Sequence, residues 1–229
     1  MQLPLSIGLR DGASFANYFP GPNREAVQTL QKIANSDQQF IYLWGASGTG
    51  KTHLLHAVCQ SISSHGATPA YLPLSEAGEI SPDLLTGLEQ LALVCIDDIQ
   101  AITARPEWEA ALFHLYNRIR ETDTRLVISG SATPRESGLN LADLSSRLEW
   151  GLVLHLHPLN DEEKIAALSL RAKGRGIELP EDVARFLLRR CPRDMPALFE
   201  LLQRLDLASL TEQRRLTIPF VRELIKETR

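Results

Sequence analysis

The sequence predicts a parallel α/β domain over residues 13–157 followed by an all-helical domain over residues 158–229. Three observations predict it. Five apolar runs of strand length, at residues 40–44, 70–74, 91–96, 126–129 and 152–156, alternate with segments of helical periodicity. Such alternation implies a parallel sheet covered on both faces. A glycine-rich loop joins the first run to a helical pattern. Beyond His157-Pro158 no comparable strand-like run occurs, and helical patterns cover 161–173, 181–190, 195–210 and 219–226.

Bulk properties narrow the class. Net charge is −4, and neither half is basic enough to predict nucleic-acid binding from charge. No apolar run reaches the length of a membrane span, and the start of the chain lacks a secretory signal pattern. Cys59, Cys95 and Cys191 are widely spaced in apolar contexts, which favours buried thiols in a reducing compartment. His53 and His56 lie three apart but form no metal-ligand set.

Residues 1–12 read as a flexible leader. Within it, Gln2-Leu3-Pro4-Leu5-Ser6-Ile7 spaces apolar residues on a segment with nothing to pack against. Two readings stand: a disordered tail, or an extended peptide that docks side chains into a partner's apolar pocket.

Gly45-Ala46-Ser47-Gly48-Thr49-Gly50-Lys51-Thr52 follows the buried-strand pattern Phe40-Ile41-Tyr42-Leu43-Trp44. Leu54, Leu55, Val58 and Ile62 then share one helical side. This is the setting required by a phosphate-binding loop. Glycines let backbone N–H groups turn toward phosphate, and the following helix points its positive end at the same spot. Lys51 supplies a cation for the outer phosphates and Thr52 a hydroxyl for Mg²⁺. His53 continues the nucleotide-binding set.

Ser81-Pro82 reads as an N-cap with a first-turn proline. The run 91–96 ends in Asp97-Asp98, at the sheet edge where the phosphate loop also belongs. Asp97 is placed to hold Mg²⁺, directly or through water, and Asp98 to orient or deprotonate an attacking water. The clearest helix spans 106–121, with Pro106 first and Trp108, Leu112, Leu115 and Ile119 in phase. After the fourth run, Ser131 is equally a γ-phosphate contact or an ordinary turn serine. Arg147 reads either as a cation for a neighbouring subunit's nucleotide or as a surface arginine paired with Glu149.

In the helical domain, Asn160 and Glu163 form a capping box. Arg193 precedes the helix opened by Met195-Pro196 and opposes its dipole. An anionic ligand or the adjacent Asp194 would compensate it.

From Phe15 to Ile225 the chain resembles AAA+ ATPases, and among them the replication initiator DnaA. Ser14-Phe15-Ala16-Asn17-Tyr18-Phe19-Pro20-Gly21-Pro22-Asn23 resembles the initiator's opening box, which implies Phe19, Pro20 and Asn23 against the adenine. Ile96-Asp97-Asp98-Ile99-Gln100 is similar to its second Walker motif. Ser146-Arg147-Leu148-Glu149-Trp150-Gly151 is similar to its arginine-finger box, and Pro192-Arg193-Asp194-Met195 to its second sensor. Ser131 departs from the aspartate usual at the first sensor.

The resemblance stops short of the initiator's C-terminal helix-turn-helix and N-terminal interaction domains. The leader instead resembles a sliding-clamp hexapeptide through Gln2, Leu3, Leu5 and Ile7. Together these features resemble the Hda family of DnaA-homologous regulatory inactivators. The resemblance implies ADP or ATP with Mg²⁺ between the two domains, Arg193 closing from the lid, and Arg147 acting on ATP held by DnaA. It implies negative regulation of replication initiation; whether the chain itself hydrolyses ATP stays open, the intact phosphate loop and Asp98 permitting it and Ser131 pointing to slow turnover. Implied partners are DnaA and the DNA polymerase sliding clamp, with little direct nucleic-acid contact and no membrane; a homo-oligomer is left open. The implied location is the bacterial cytoplasm, at the nucleoid through the clamp. The rival readings are an autonomous ATPase or helicase loader and a small-molecule P-loop kinase.

Overall fold

The computed structural model describes residues 12–76, 78 and 80–226. The leader residues 2–7 lie outside the described residues. Two compact units divide the chain: residues 12–16 with Pro22–His157, and Asn17–Gly21 with residues 158–226.

The first unit is a parallel α/β domain. Its strands are β1 (Phe40–Gly45), β2 (Pro69–Pro73), β3 (Leu93–Asp97), β4 (Arg125–Gly130) and β5 (Leu152–Leu156). They form one sheet in the order β2-β3-β4-β1-β5, every neighbouring pair parallel. Helix α1 covers Arg24–Gln31, α2 Lys51–Ser64, α3 Pro106–Ile119 and α4 Ala142–Trp150. Alternation along β3 serves both faces. Val94 and Ile96 join the core cluster holding Trp108, Leu112 and Leu115 of α3 and Leu144 and Leu148 of α4. Cys95 turns toward α2, its Sγ 3.8 Å from the Leu55 carbonyl. The next residue on that side is Asp97, so the period of the strand delivers its carboxylate to the α2 face.

Gly45 lets the phosphate-loop strand sit close to the edge strand. It pairs with Leu156 in register. A Cβ there would lie 2.5 Å from the Leu156 carbonyl oxygen and 3.2 Å from Thr49 Oγ1. Cys59 and Cys95 are buried, whereas Cys191 is only half-buried.

The segment after Ser81 is not a helix of ordinary length. Ser81 does cap, accepting from the Asp83 N–H at 3.2 Å, but it starts a four-residue 3₁₀ turn, Pro82–Leu85. Gly87, at φ 85°, then breaks the chain before a second short turn. The periodicity of 91–96 likewise overreaches: β3 starts at Leu93.

The second unit is helical: α5 Asp161–Gly174, α6 Glu181–Arg190, α7 Met195–Glu212 and α8 Ile218–Lys226. Asn160 Oδ1 accepts from the Glu163 N–H at 2.9 Å while Glu163 accepts from the Asn160 N–H at 2.8 Å, a complete capping box. Leu168, Leu187, Leu198, Leu202, Phe220 and Val221 form its core. Phe19 and Leu159 pack on that cluster. This is the physical reason residues 17–21 associate with the helices rather than with the sheet domain that brackets them in sequence.

Gly45→Ala is expected to force β1 and β5 apart and lower stability by about 1–3 kcal/mol, the usual cost of overpacking. Urea denaturation with an unchanged midpoint would show instead that the Leu156 backbone yields freely.

Candidate functional site

The loop between β1 and α2 takes the shape its glycines permit. Gly48 and Gly50 sit at φ 79° and 95°, the left-handed region that side-chain-bearing residues avoid. Gly50 is the N-cap of α2 and brings no side-chain acceptor to it. The helix therefore begins with its positive end uncapped by a side chain, an arrangement suited to an anion. Ala46 and Ser47 are exposed, while Thr49 folds inward, its Oγ1 donating to the Ala46 carbonyl at 2.9 Å.

Lys51 is 8 % exposed. Its Nζ donates to the carbonyls of Gly45 at 2.8 Å and Ala46 at 3.2 Å. Burial lowers its pKa, and the charges of Asp98 and Asp97 oppose that shift. The ammonium is thus held under the loop, with one of its three donors left over from these two bonds.

Asp97 is the buried centre of the sheet edge, 2 % exposed. Thr52 Oγ1 donates to Oδ2 at 2.6 Å, and the Tyr71 hydroxyl donates to the same oxygen at 2.8 Å. The Ser129 hydroxyl donates to Oδ1. The three hydroxyls come from α2, β2 and β4 and satisfy a carboxylate that burial would otherwise penalise. Ser129 Oγ also accepts the Asp98 N–H at 2.9 Å. That bond accompanies a left-handed Asp98 backbone, φ 60°. The Asp98 carboxylate leaves the strand axis and accepts from Gln100 Nε2 at 2.8 Å. Gln100 Oε1 in turn accepts the Ser131 N–H at 3.1 Å. Ser131 joins the edge through its backbone, and its side chain is exposed.

Thr52 and Asp97 offer the hard oxygen donors Mg²⁺ selects. Because Asp97 already accepts three hydroxyl hydrogens, Thr52 and Asp97 would hold such a cation through its waters rather than strip them.

Tyr71, Ser129 and Gln100 were not anticipated from sequence as site residues. Tyr71 sits in an apolar run, its ring tilted against His56 with ring centroids 4.0 Å apart. Ser129 is the one hydroxyl closing Leu126-Val127-Ile128, a signal that was present but weak.

Asn23 is buried, and its side chain is committed to the backbone of His157. Its Nδ2 donates to the carbonyl at 3.0 Å and its Oδ1 accepts the N–H at 2.7 Å. Phe19 and Pro20 belong to the helical unit. His53 Nε2 lies 2.9 Å from the Ser14 carbonyl, tying α2 to the segment before α1.

Arg147 lies on α4, which has no capping side chain of its own. Instead Glu109 of α3 accepts the Leu141 N–H at 2.7 Å, bringing a carboxylate to the helix start. Arg147 is not paired with Glu149. Arg135 takes both oxygens of Glu149, at 2.7 and 3.1 Å. On a helix, residues two apart point away from each other, so the Arg147–Glu149 alternative fails on geometry. Among the described residues no carboxylate lies within ion-pair distance of Arg147. In the helical unit, Asp194 caps α7 by accepting the Ala197 N–H at 2.9 Å. The exposed Arg193 lies 3.5 Å from Asp161 rather than on Asp194.

Burial, then the charge of Asp97 and the bond to it, push the Tyr71 hydroxyl well above its ordinary 10.0. Burial does the same to Tyr42. A raised tyrosine pKa means stability that is intact below about pH 10 and is lost as pH rises beyond it. Urea midpoints are expected to fall above that pH, less steeply in Tyr71→Phe. At neutral pH the same variant should lose about 1.5–3 kcal/mol, the range for a hydrogen bond to a charged group. An unchanged midpoint would show that Tyr71 contributes nothing to holding Asp97.

The sequence profile described as the bacterial DnaA ATPase domain matches residues 9–73 and 82–155. The profile described as the Hda lid domain matches residues 161–225. Among solved structures, domain III of the Thermotoga maritima replication initiation protein DnaA superposes with a TM-score of 0.80 at 21% identity, covering 94% of this chain and 96% of that one. AMPPCP-bound DnaA from Aquifex aeolicus gives 0.74 at 21% identity, covering 87% of this chain and 67% of that one. The Thermotoga maritima Holliday junction branch migration motor RuvB gives 0.67 at 16% identity, covering 93% and 73%. The structural likenesses show the fold; the sequence profile covers more than half the chain, and the protein belongs to the bacterial DnaA ATPase domain family, with a C-terminal region that matches the Hda lid.

Proposed function

We propose that this chain is a nucleotide-bound AAA+ regulator that docks on the DNA sliding clamp and stimulates hydrolysis of ATP held by DnaA. The observation that carries the reading is Arg147: a guanidinium on the sheet domain with no carboxylate near it among the described residues, in a chain that also carries a complete phosphate loop.

ADP or ATP is the ligand we assign to the glycine-rich loop, residues 45–52. The left-handed glycines and the start of α2 receive the phosphates, and Lys51 exchanges carbonyl partners for a phosphate oxygen. AMPPCP binding by the Aquifex aeolicus relative supports an adenine nucleotide. Mg²⁺, when bound, neutralises phosphate charge, with Thr52 and Asp97 holding its water shell. Arg193 of the helical unit is the second cation we assign to the nucleotide, and Phe19 and Pro20 are assigned to the base. Asn23 contributes by fixing the backbone at His157. Asp98, oriented by Gln100, holds a water for slow turnover by the chain itself.

Arg147 acts on the partner's nucleotide. A planar, permanent cation stabilises charge that develops on transferring phosphoryl oxygens, an effect on the order of 10³–10⁵ in rate. Clamp docking through Gln2, Leu3, Leu5 and Ile7 raises local concentration by placing both proteins on one DNA-bound platform. This part rests on the sequence resemblance of the leader.

The deciding experiment is ATP turnover by DnaA with and without this chain, on DNA carrying the clamp. Arg147→Ala is expected to return the rate to that of DnaA alone while nucleotide and clamp binding persist; full stimulation by the variant would refute the finger role. Gln2→Ala with Leu5→Ala should abolish retention on immobilised clamp, and undiminished retention would remove the docking step. Comparable turnover by the chain alone would favour the autonomous ATPase instead.

A further inference from the structure

An arginine that serves a neighbour's site must be held in place without being neutralised. A carboxylate partner would hold it but cancel its charge, and a free side chain carries about 2 kcal/mol of rotamer entropy. Arg147 is held in a third way. Trp150 lies three residues on, on the same side of α4, and the guanidinium carbon sits 4.0 Å from the centre of its ring. The guanidinium Nε is buried and has no hydrogen-bond partner among the described residues. Trp150 itself is 62% exposed, so filling the core does not explain its position. An aromatic face attracts a cation through its quadrupole and leaves the net charge in place. The carboxylate two residues on, Glu149, is meanwhile engaged at both oxygens by Arg135, whose side chain is otherwise open to solvent.

We infer that Trp150 is a positioning residue for Arg147: its ring is a shelf that fixes the guanidinium without neutralising it. The inference rests on the trans-acting role proposed for Arg147. It adds a requirement that role does not contain, namely an aromatic face at position 150.

The test uses the full chain with nucleotide, DnaA bound to ATP and clamp-loaded DNA. It compares wild type, Trp150→Phe, Trp150→Leu and Arg147→Ala. Trp150→Leu should lower the maximal stimulated rate roughly two- to five-fold, the equivalent of an exposed cation–π contact. Trp150→Phe should retain most of the rate, because it keeps an aromatic face. The chain concentration giving half-maximal stimulation should move less than the rate. In the chain without DnaA, the Arg147 Nε–H resonance should carry a ring-current shift that survives Trp150→Phe and disappears in Trp150→Leu. Equal rates for Leu and Phe variants, a loss confined to half-maximal concentration, or a resonance indifferent to Trp150→Leu would each overturn the shelf while leaving the finger role standing. Full stimulation by Arg147→Ala would overturn the finger role and the inference built on it, and the resonance would still report whether the ring holds the guanidinium.

Discussion

The carboxylate of Asp97 is the constraint around which the sheet edge is built. A fully buried strand carries it out of water, and a bare anion there would be untenable. Hydroxyls from α2, β2 and β4 converge on it, so one charge ties three elements together. The same hydroxyl of Ser129 accepts the Asp98 N–H, where the chain turns left-handed and aims the second carboxylate elsewhere. Two adjacent aspartates thereby acquire different duties: one is locked and buried, the other is oriented from a single side by Gln100.

The phosphate loop is organised by the same logic of satisfied and unsatisfied groups. Lys51 needs acceptors when buried and finds them in the carbonyls of Gly45 and Ala46. Each carbonyl it holds belongs to the glycine-rich loop, so the cation shapes the loop from beneath. The loop starts where β1 meets β5 with no room for a side chain at Gly45. Sheet packing therefore fixes where the loop begins, and glycine torsions fix how it turns.

Helix α4 shows how a side chain is placed by neighbours rather than by its own segment. The helix lacks a capping residue and receives Glu109 of α3 at its start. Leu144 and Leu148 anchor one side in the core. Arg147 is left on another side with an aromatic ring and, among the described residues, no carboxylate. Arg135, twelve residues away in sequence, takes both oxygens of Glu149.

Much of the molecule was legible in the sequence because the relevant physics is local. Strand-length apolar runs, a glycine loop before an amphipathic helix, a first-turn proline at Pro106 and the Asn160–Glu163 box act between residues a few positions apart. Each appears in the structure as an element or a cap. Local chemistry also misled: Ser81-Pro82 starts only a short turn, since Gly87 interrupts the chain before a helix can propagate. What tertiary structure alone decided is the choice among partners. The three hydroxyls on Asp97 come from positions 45, 26 and 32 residues distant, Asn23 is matched to His157 across 134 residues, and Phe19 joins a core formed by later helices. Hydrogen-bond and ion-pair partners at such separations are chosen by which elements pack together, and no periodicity along the chain encodes that choice.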